Sequence, residues 1–298
     1  MAPTRVYRVG LLTGSGTKPL FWERLAELGY VEGRNLVREE RPAGPASGFA
    51  DRAAELVRLP VDVIAASLDP GIAAAVDATG SIPIVMMGST LDPVAEGWVE
   101  SLARPGRNVT GMAGPPREIE LKRLQLLVEA APSITRVAVL TGGPPLPEQP
   151  WKGVAAMLGV DVLMLQVAES GPAAESYGQV IERAVAEGAD ALLLRAGFRA
   201  ASAVDLIVGL AERHRLPTIA FQRLLVTAGV LMTYEPRGSE LDRRAADYVD
   251  RILRGARPAD LPVETPLRYD LIVNMRTARA LGLTLSRDFM AQVDELIE

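Results

Sequence analysis

Short apolar runs alternate with polar loops and amphipathic stretches from the first residues of the chain. Residues 6–12 are apolar and end in Thr13-Gly14-Ser15-Gly16. Phe21, Leu25 and Leu28 then recur at helical spacing until Gly29 stops the pattern. Residues 35–39 read as a second strand, more polar and so nearer an edge. Ser47 opens a helix with Phe49, Ala53, Leu56 and Val57 on one face. Residues 61–66 form a buried strand, followed by Ser67-Leu68-Asp69-Pro70 and a helix to Thr79. The run 82–87 is another buried strand, with the polar loop Gly88-Ser89-Thr90-Leu91 after it. Asp92 is placed to cap a helix, with Pro93 in its first turn, that ends near Arg104-Pro105-Gly106, and residues 108–111 begin a fifth strand. Strands alternating with helices predict an α/β fold, a parallel sheet with helices on both faces.

The pattern then restarts. Helices are expected at 118–131, 151–158, 173–187 and 200–214, interleaved with strands at 136–140, 160–167, 189–194, 217–220 and 229–234. The restart is visible in the residues themselves. Arg8-Val-Gly-Leu-Leu-Thr-Gly matches Arg136-Val-Ala-Val-Leu-Thr-Gly, 128 positions on. Val61-Asp62-Val-Ile matches Ala189-Asp190-Ala-Leu at the same offset, and Ile82-Pro83-Ile-Val matches Leu216-Pro217-Thr-Ile at 134. Two similar doubly wound lobes are expected. An amphipathic helix at 240–253, prolines at 258, 262 and 266, a strand near 271–273 and two short helices follow. The expected division is 1–112 with about 237–266, and 113–236 with about 267–298. Crossings near 108–114, 234–238 and 261–270 would form a three-strand hinge.

Charge and composition narrow the chemistry. The net charge is −5, and arginines such as Arg243, Arg244, Arg251 and Arg254 are interleaved with acids, so no nucleic-acid partner is expected. With no Cys and one His, cysteine nucleophiles, cysteine-based zinc sites and disulfides are excluded. His214 stands at a helix end, where it suits the dipole and solvent. Gly14-Ser15-Gly16 and Gly142-Gly143 lack the spacing of dinucleotide or phosphate-binding loops and read as tight turns. No cofactor and no metal are expected. No apolar run approaches the ~20 residues that span a bilayer.

Several segments together resemble the ABC transporter substrate-binding proteins related to the tryptophan- and tyrosine-binding lipoproteins. They are Leu28-Gly-Tyr-Val-Glu-Gly-Arg-Asn35, Ala54-Glu-Leu-Val-Arg58, Ser101-Leu-Ala-Arg-Pro-Gly106, Asn108-Val-Thr-Gly111, Leu231-Met-Thr-Tyr234 and Ala256-Arg-Pro-Ala-Asp-Leu-Pro-Val263. The resemblance implies a type I periplasmic-binding-protein fold with one small-molecule ligand in the cleft. It also implies an ABC permease as membrane partner, monomeric action, and a periplasmic or other extracytoplasmic location with a leader that these residues do not include. Carried over by position, the family's ligand loops fall on Thr13, Gly14 and Ser15, on 67–70 with Ser67 and Asp69, and on Ser89 and Thr90. In the second lobe they fall on Thr141 and Gly142, on Arg195 and Phe198, and on Phe221 and Gln222. The chain departs from the family at Asp69, where Thr is common, near 142–144, where Asn-Pro is common, and near Gly197, where an acid is frequent. These departures put the usual amino-acid pose in question.

Each candidate has a plainer alternative. Asp69 and Asp92 both suit helix capping. Ser67, Ser89 and Thr90 suit turns as well as ligand hydrogen bonds. Arg195, just past a buried run, either meets an anionic or carbonyl group of a ligand or pairs with a neighbouring acid. Phe198, Phe221 and Tyr234 are placed to stack on a planar ligand. Trp98 is expected in helix core, Trp22 off the core face and Trp151 at the cleft rim. The rival reading is a cytosolic sensor or enzyme on the same two-lobed fold. An enzyme would need an acid–base pair, and Asp69 with Tyr234 is the best the sequence offers.

Overall fold

The computed structural model describes residues 5–14, 18–44, 48–89, 91–142, 147–168, 170–195 and 198–298, with the side chains of Arg117, Phe198, Arg199 and Ser239 outside the description. In chain order the elements begin β1 (Tyr7–Thr13), α1 (Pro19–Glu27), β2 (Leu36–Pro42), α2 (Phe49–Arg58), β3 (Val63–Ala66), α3 (Asp69–Ala78), β4 (Ile84–Met87) and β5 (Val109–Met112). They continue with α4 (Arg117–Ala130), β6 (Arg136–Thr141), α5 (Gln149–Leu158), β7 (Asp161–Gln166), α6 (Ala173–Ala186), β8 (Ala191–Leu194), α7 (Phe198–Ser202), α8 (Val204–Arg213), β9 (Thr218–Ala220), α9 (Arg223–Ala228) and β10 (Met232–Pro236). Last come α10 (Gly238–Leu253), β11 (Tyr269–Asn274), α11 (Met275–Ala280), α12 (Arg287–Met290) and β12 (Glu295–Ile297). The chain divides into two compact units, 1–115 with 236–268 and 116–235 with 269–298.

The first unit holds a parallel sheet in the order β2-β1-β3-β4-β5. β3 and β4 are buried at every position. Successive side chains of a strand point to opposite faces, and the core divides accordingly. Val63 and Ala65 join Val9, Leu11, Phe21, Trp22, Tyr248 and Val249 under α1 and α10. Ile64 and Ala66 join Leu12, Phe49, Leu56 and Ile72 under α2 and α3. Each buried Leu or Ile contributes about 1.5–3 kcal/mol to holding those layers together. After α10 the chain returns beside β5: Thr110 Oγ1 donates to the Leu261 carbonyl (2.7 Å) and Ala113 N–H to that of Glu264 (2.7 Å).

The second unit has the strand order β12-β11-β10-β9-β8-β6-β7. β7, β6, β8, β9 and β10 run parallel, as do β11 and β12. β10 and β11 are antiparallel, because Asn274 N–H reaches the Leu231 carbonyl (2.8 Å) and Arg237 N–H that of Arg268 (3.0 Å). β8 repeats the alternation: Ala191 and Leu193 face α4 and α5, while Leu192 and Leu194 face α6 and α8.

The sequence repeat reappears atom by atom. The Asp62 carboxylate accepts the Arg8 N–H (2.7 Å), and the Asp190 carboxylate accepts the Arg136 N–H (2.9 Å). Ser67 N–H bonds the Leu12 carbonyl at 3.0 Å, as Arg195 N–H bonds that of Leu140 at 3.0 Å. Ser67 and Arg195 therefore occupy equivalent places in the two units.

Four expectations need correction. Asp92 does not start a helix: its carboxylate accepts Val94 N–H (2.9 Å), but the turn ends at Gly97 (φ 72). Trp98 and Val99 then tuck into the core, so Trp98 is buried but not helical. Trp22 is buried against Phe21, with the Arg38 guanidinium 4.8 Å above its ring, because α1 lies over the edge strand β2. Trp151 is fully packed in the core under α5 and not on a rim.

Candidate functional site

In a parallel sheet the loops that follow the strands gather at one edge, and ligands of open α/β sheets bind at that edge. In the first unit Thr13 ends β1 and is buried, its carbonyl accepting Ala43 N–H at 2.8 Å, and Gly14 follows it, buried. Ser15 and Thr90 lie outside the described residues. Ser67 ends β3 with its hydroxyl turned to the Leu12 carbonyl (3.5 Å). Leu68 then takes φ 66, a left-handed conformation uncommon for a residue with a side chain. It occupies the cap position of α3, so Asp69 is the first helical residue and not the cap. The Asp69 carboxylate instead accepts the Ser89 hydroxyl at 2.6 Å. Ser89 Oγ also accepts Leu91 N–H (3.0 Å), and Ser89 is buried. One hydroxyl thus ties the loop after β4 to the helix after β3.

α10 supplies two further groups at this edge. Gly88 has φ 104, and a Cβ there would meet Leu241 Cδ1 at 3.2 Å, which places the start of α10 against the end of β4. Asp242, one residue on, pairs with Lys18 Nζ at 3.3 Å, and Lys18 directly precedes α1. Burial pushes the Asp242 carboxyl above the usual range, against the pull of Lys18. Sequence reasoning missed this pair, because Lys18 and Asp242 come from opposite ends of the chain.

In the second unit Thr141 ends β6, buried, with its carbonyl accepting Val167 N–H (2.8 Å), and Gly142 follows it. Arg195 follows β8, and its Nε donates to Glu120 Oε2 at 2.6 Å. Glu120 lies on α4, its side chain 10% exposed against 19% for Arg195. One turn along α4, Arg123 is fully buried and its Nε donates to the Tyr234 carbonyl at 2.8 Å. Burial lowers the Arg123 pKa to about 10, with Glu120 the largest opposing influence. Phe198 begins α7, its side chain outside the description. Phe221 is buried in the same apolar cluster as Leu225 and Val230. Gln222 precedes α9 without a side-chain cap bond, and Arg223 N–H donates to the Glu235 carboxylate at 2.7 Å. Glu235 is itself raised above the usual carboxylate range, chiefly by burial. Tyr234 stacks on Tyr269 (centroids 5.3 Å apart, 28° between planes), which occupies one face of its ring.

Glu120 and Arg123 also went unread in the sequence. The signal was present: they share the α4 stripe of Leu124 and Leu127, and charges on a buried stripe call for partners. Asp69 and Tyr234 belong to different units, each with its own partner in Ser89 or Tyr269. Among the described residues no group of three or more His, Cys, Asp or Glu side chains is arranged to hold a metal ion. No helix is long and apolar enough to cross a membrane among those residues.

Two α/β units built on parallel sheets, with polar loops at the strand ends, define the class: a type I periplasmic-binding-protein fold. An ABC domain from Streptococcus pneumonia in complex with L-Trp has this fold, with a TM-score of 0.84 at 21% identity, covering 98% of this chain and 100% of that one. A conserved domain protein from Vibrio cholerae matches with a TM-score of 0.84 at 24% identity, over 98% of this chain and 100% of that one. Residues 20–297 match the ABC transporter substrate binding protein family, and the chain belongs to that family. A curated relative, the tyrosine-binding protein of Clostridioides difficile (strain R20291), is 27% identical over 272 residues, 88% of this chain and 75% of that protein.

Proposed function

We propose that the protein is the extracytoplasmic solute-binding component of an ABC importer. It closes its two lobes on a small molecule bearing a carboxylate and delivers it to a membrane permease, acting as a monomer without nucleic acid. The observation that carries the reading is Arg195, a guanidinium at the end of β8 in the place that Ser67 holds in the first unit. A guanidinium with one nitrogen committed to Glu120 retains a second edge suited to a carboxylate. Asp69 and Ser89 offer hydrogen-bond partners for the ligand's polar remainder. The tyrosine-binding relative and the L-Trp complex favour an aromatic carboxylate or amino acid as the ligand class. Closure needs only that ligand contacts favour the closed state over the open one. The family is one of binding proteins, and the reading includes no catalytic step.

A thermal-shift series with L-tyrosine, L-tryptophan, 3-(4-hydroxyphenyl)propanoate and tyramine tests the ligand class. Binding to the native state adds about 2.7 kcal/mol at roughly a hundredfold excess over Kd. The carboxylates are expected to raise Tm and tyramine to leave it unchanged. Stabilisation by tyramine alone, or conversion of any of these compounds, would overturn the reading. Small-angle scattering with and without the stabilising compound tests closure, which predicts a smaller radius of gyration.

A further inference from the structure

The Arg195–Glu120 pair lies within the second unit, beside a second buried charge on α4. Glu120 is 7% exposed and Arg123 1%, so one carboxylate and one guanidinium sit a helical turn apart in the core side of α4. Arg195 Nε is bound to that carboxylate at 2.6 Å, and Arg123 Nε to the Tyr234 carbonyl at 2.8 Å. Tyr234 lies one residue before the end of the unit at Glu235, on the strand by which the chain leaves it. The next loop reaches the same place, through Arg223 N–H on the Glu235 carboxylate at 2.7 Å. The loop after β9 is therefore bonded to Glu235, while α4 is bonded both to Arg195 and to the Tyr234 carbonyl.

A buried ion pair is costly unless its geometry serves something, because both charges have left water. Simple neutralisation would be an odd use of Glu120 here, since a carboxylate beside Arg195 weakens the pull of that cation on any anion. What the bond does provide is direction: a guanidinium held through Nε is fixed in plane, with its other edge turned away from Glu120. Arg123, one turn on, is held through its Nε by the Tyr234 carbonyl, and the Glu120 charge favours its buried cation.

We infer that Glu120 is a positioning residue that aims Arg195 at a ligand carboxylate. The inference rests on the carboxylate reading above and makes a prediction of opposite sign to charge balance. If Glu120 only neutralised Arg195, its removal would tighten binding of an anion. If it positions Arg195, removal weakens binding although the local charge becomes more positive.

The test uses the full chain, 3-(4-hydroxyphenyl)propanoate as the anionic probe, and the corresponding uncharged amide as control, measured by titration calorimetry. Glu120→Ala and Glu120→Gln are expected to weaken the carboxylate roughly ten- to a hundredfold, the cost of a lost charged hydrogen bond, and Glu120→Asp to recover part of it. Affinity for the amide should stay within a fewfold. Tightening or no change in both Glu120→Ala and Glu120→Gln, with Arg195→Ala still weakening the probe, would overturn the positioning role and leave the carboxylate reading standing. No effect of Arg195→Ala, or no binding of the probe by the wild-type chain, would instead remove the carboxylate reading and the inference with it. Heteronuclear NMR of the Arg195 Nε–H gives a second, ligand-free measure that also shows each variant is folded. Slow exchange in the wild type and fast exchange in Glu120→Gln is expected, and equal exchange in the two would overturn the inference.

Discussion

Single residues at the strand ends divide by how far away their partners lie in the chain. Thr13, Ser67, Ser89, Thr141 and Arg195 were legible, because a polar residue just after a buried run has only one edge of the sheet to occupy. The pairs Lys18–Asp242 and Arg195–Glu120 were not, because their meaning depends on packing that no local pattern encodes. The burial of Phe221 was equally hidden: an aromatic at a strand end can turn into the core as readily as out of it. Asp242 gives a pH prediction. Its folded pKa is raised, so the folded state holds the proton more tightly than the unfolded chain, whose carboxyl titrates near 3.8. It therefore disfavours folding progressively as pH rises from about that value through the raised one, and the loss persists above it. Asp242→Asn should gain stability relative to the wild type across that window, as read from urea unfolding at several pH values. A difference that is independent of pH, or shrinks as pH rises, would show that the Lys18 bond outweighs burial.

At the scale of elements, the alternation of strand and helix was readable because strands buried on both faces leave continuous apolar runs. The failure at 92–104 shows the limit of that logic. Asp92-Pro93 carries a good helix-start signature, and Asp92 does cap the backbone, but Gly97 ends the turn before a helix can propagate. β5 contains a sharper constraint. Gly111 has φ 117, and a Cβ there would stand 2.4 Å from the Met86 carbonyl oxygen on β4. The conformation alone costs a residue with a side chain about 1–3 kcal/mol, and the clash with backbone adds to it. Gly111→Ala is expected to lower Tm by several degrees and to loosen the β4–β5 pairing. An unchanged Tm with unchanged amide protection at Met86 and Met87 would contradict this.

For the molecule as a whole, the repeat at 128 positions announced two related lobes. The assignment of α10 depends on packing, since an amphipathic helix fits any sheet face of the right width. Ala245, Tyr248, Val249 and Ile252 sit in one core with Val9, Leu11 and Val63. A chain ending at residue 235 would therefore uncover β3, β4 and β5 on that face, leaving only α1 over it. Such a truncation should show secondary structure by far-ultraviolet circular dichroism but no sharp thermal transition for that unit, together with dye binding to exposed apolar surface. A cooperative transition at the wild-type temperature would mean that α10 is dispensable.

The same interleaving has a consequence in time. Tyr248, fully buried in the first unit, is made long after β1 to β5 have been synthesised, and β11 and β12 complete the second unit only at the end of the chain. Neither core is complete until those late elements have been made. The order of the elements thus postpones completion of both cores to the last part of the chain.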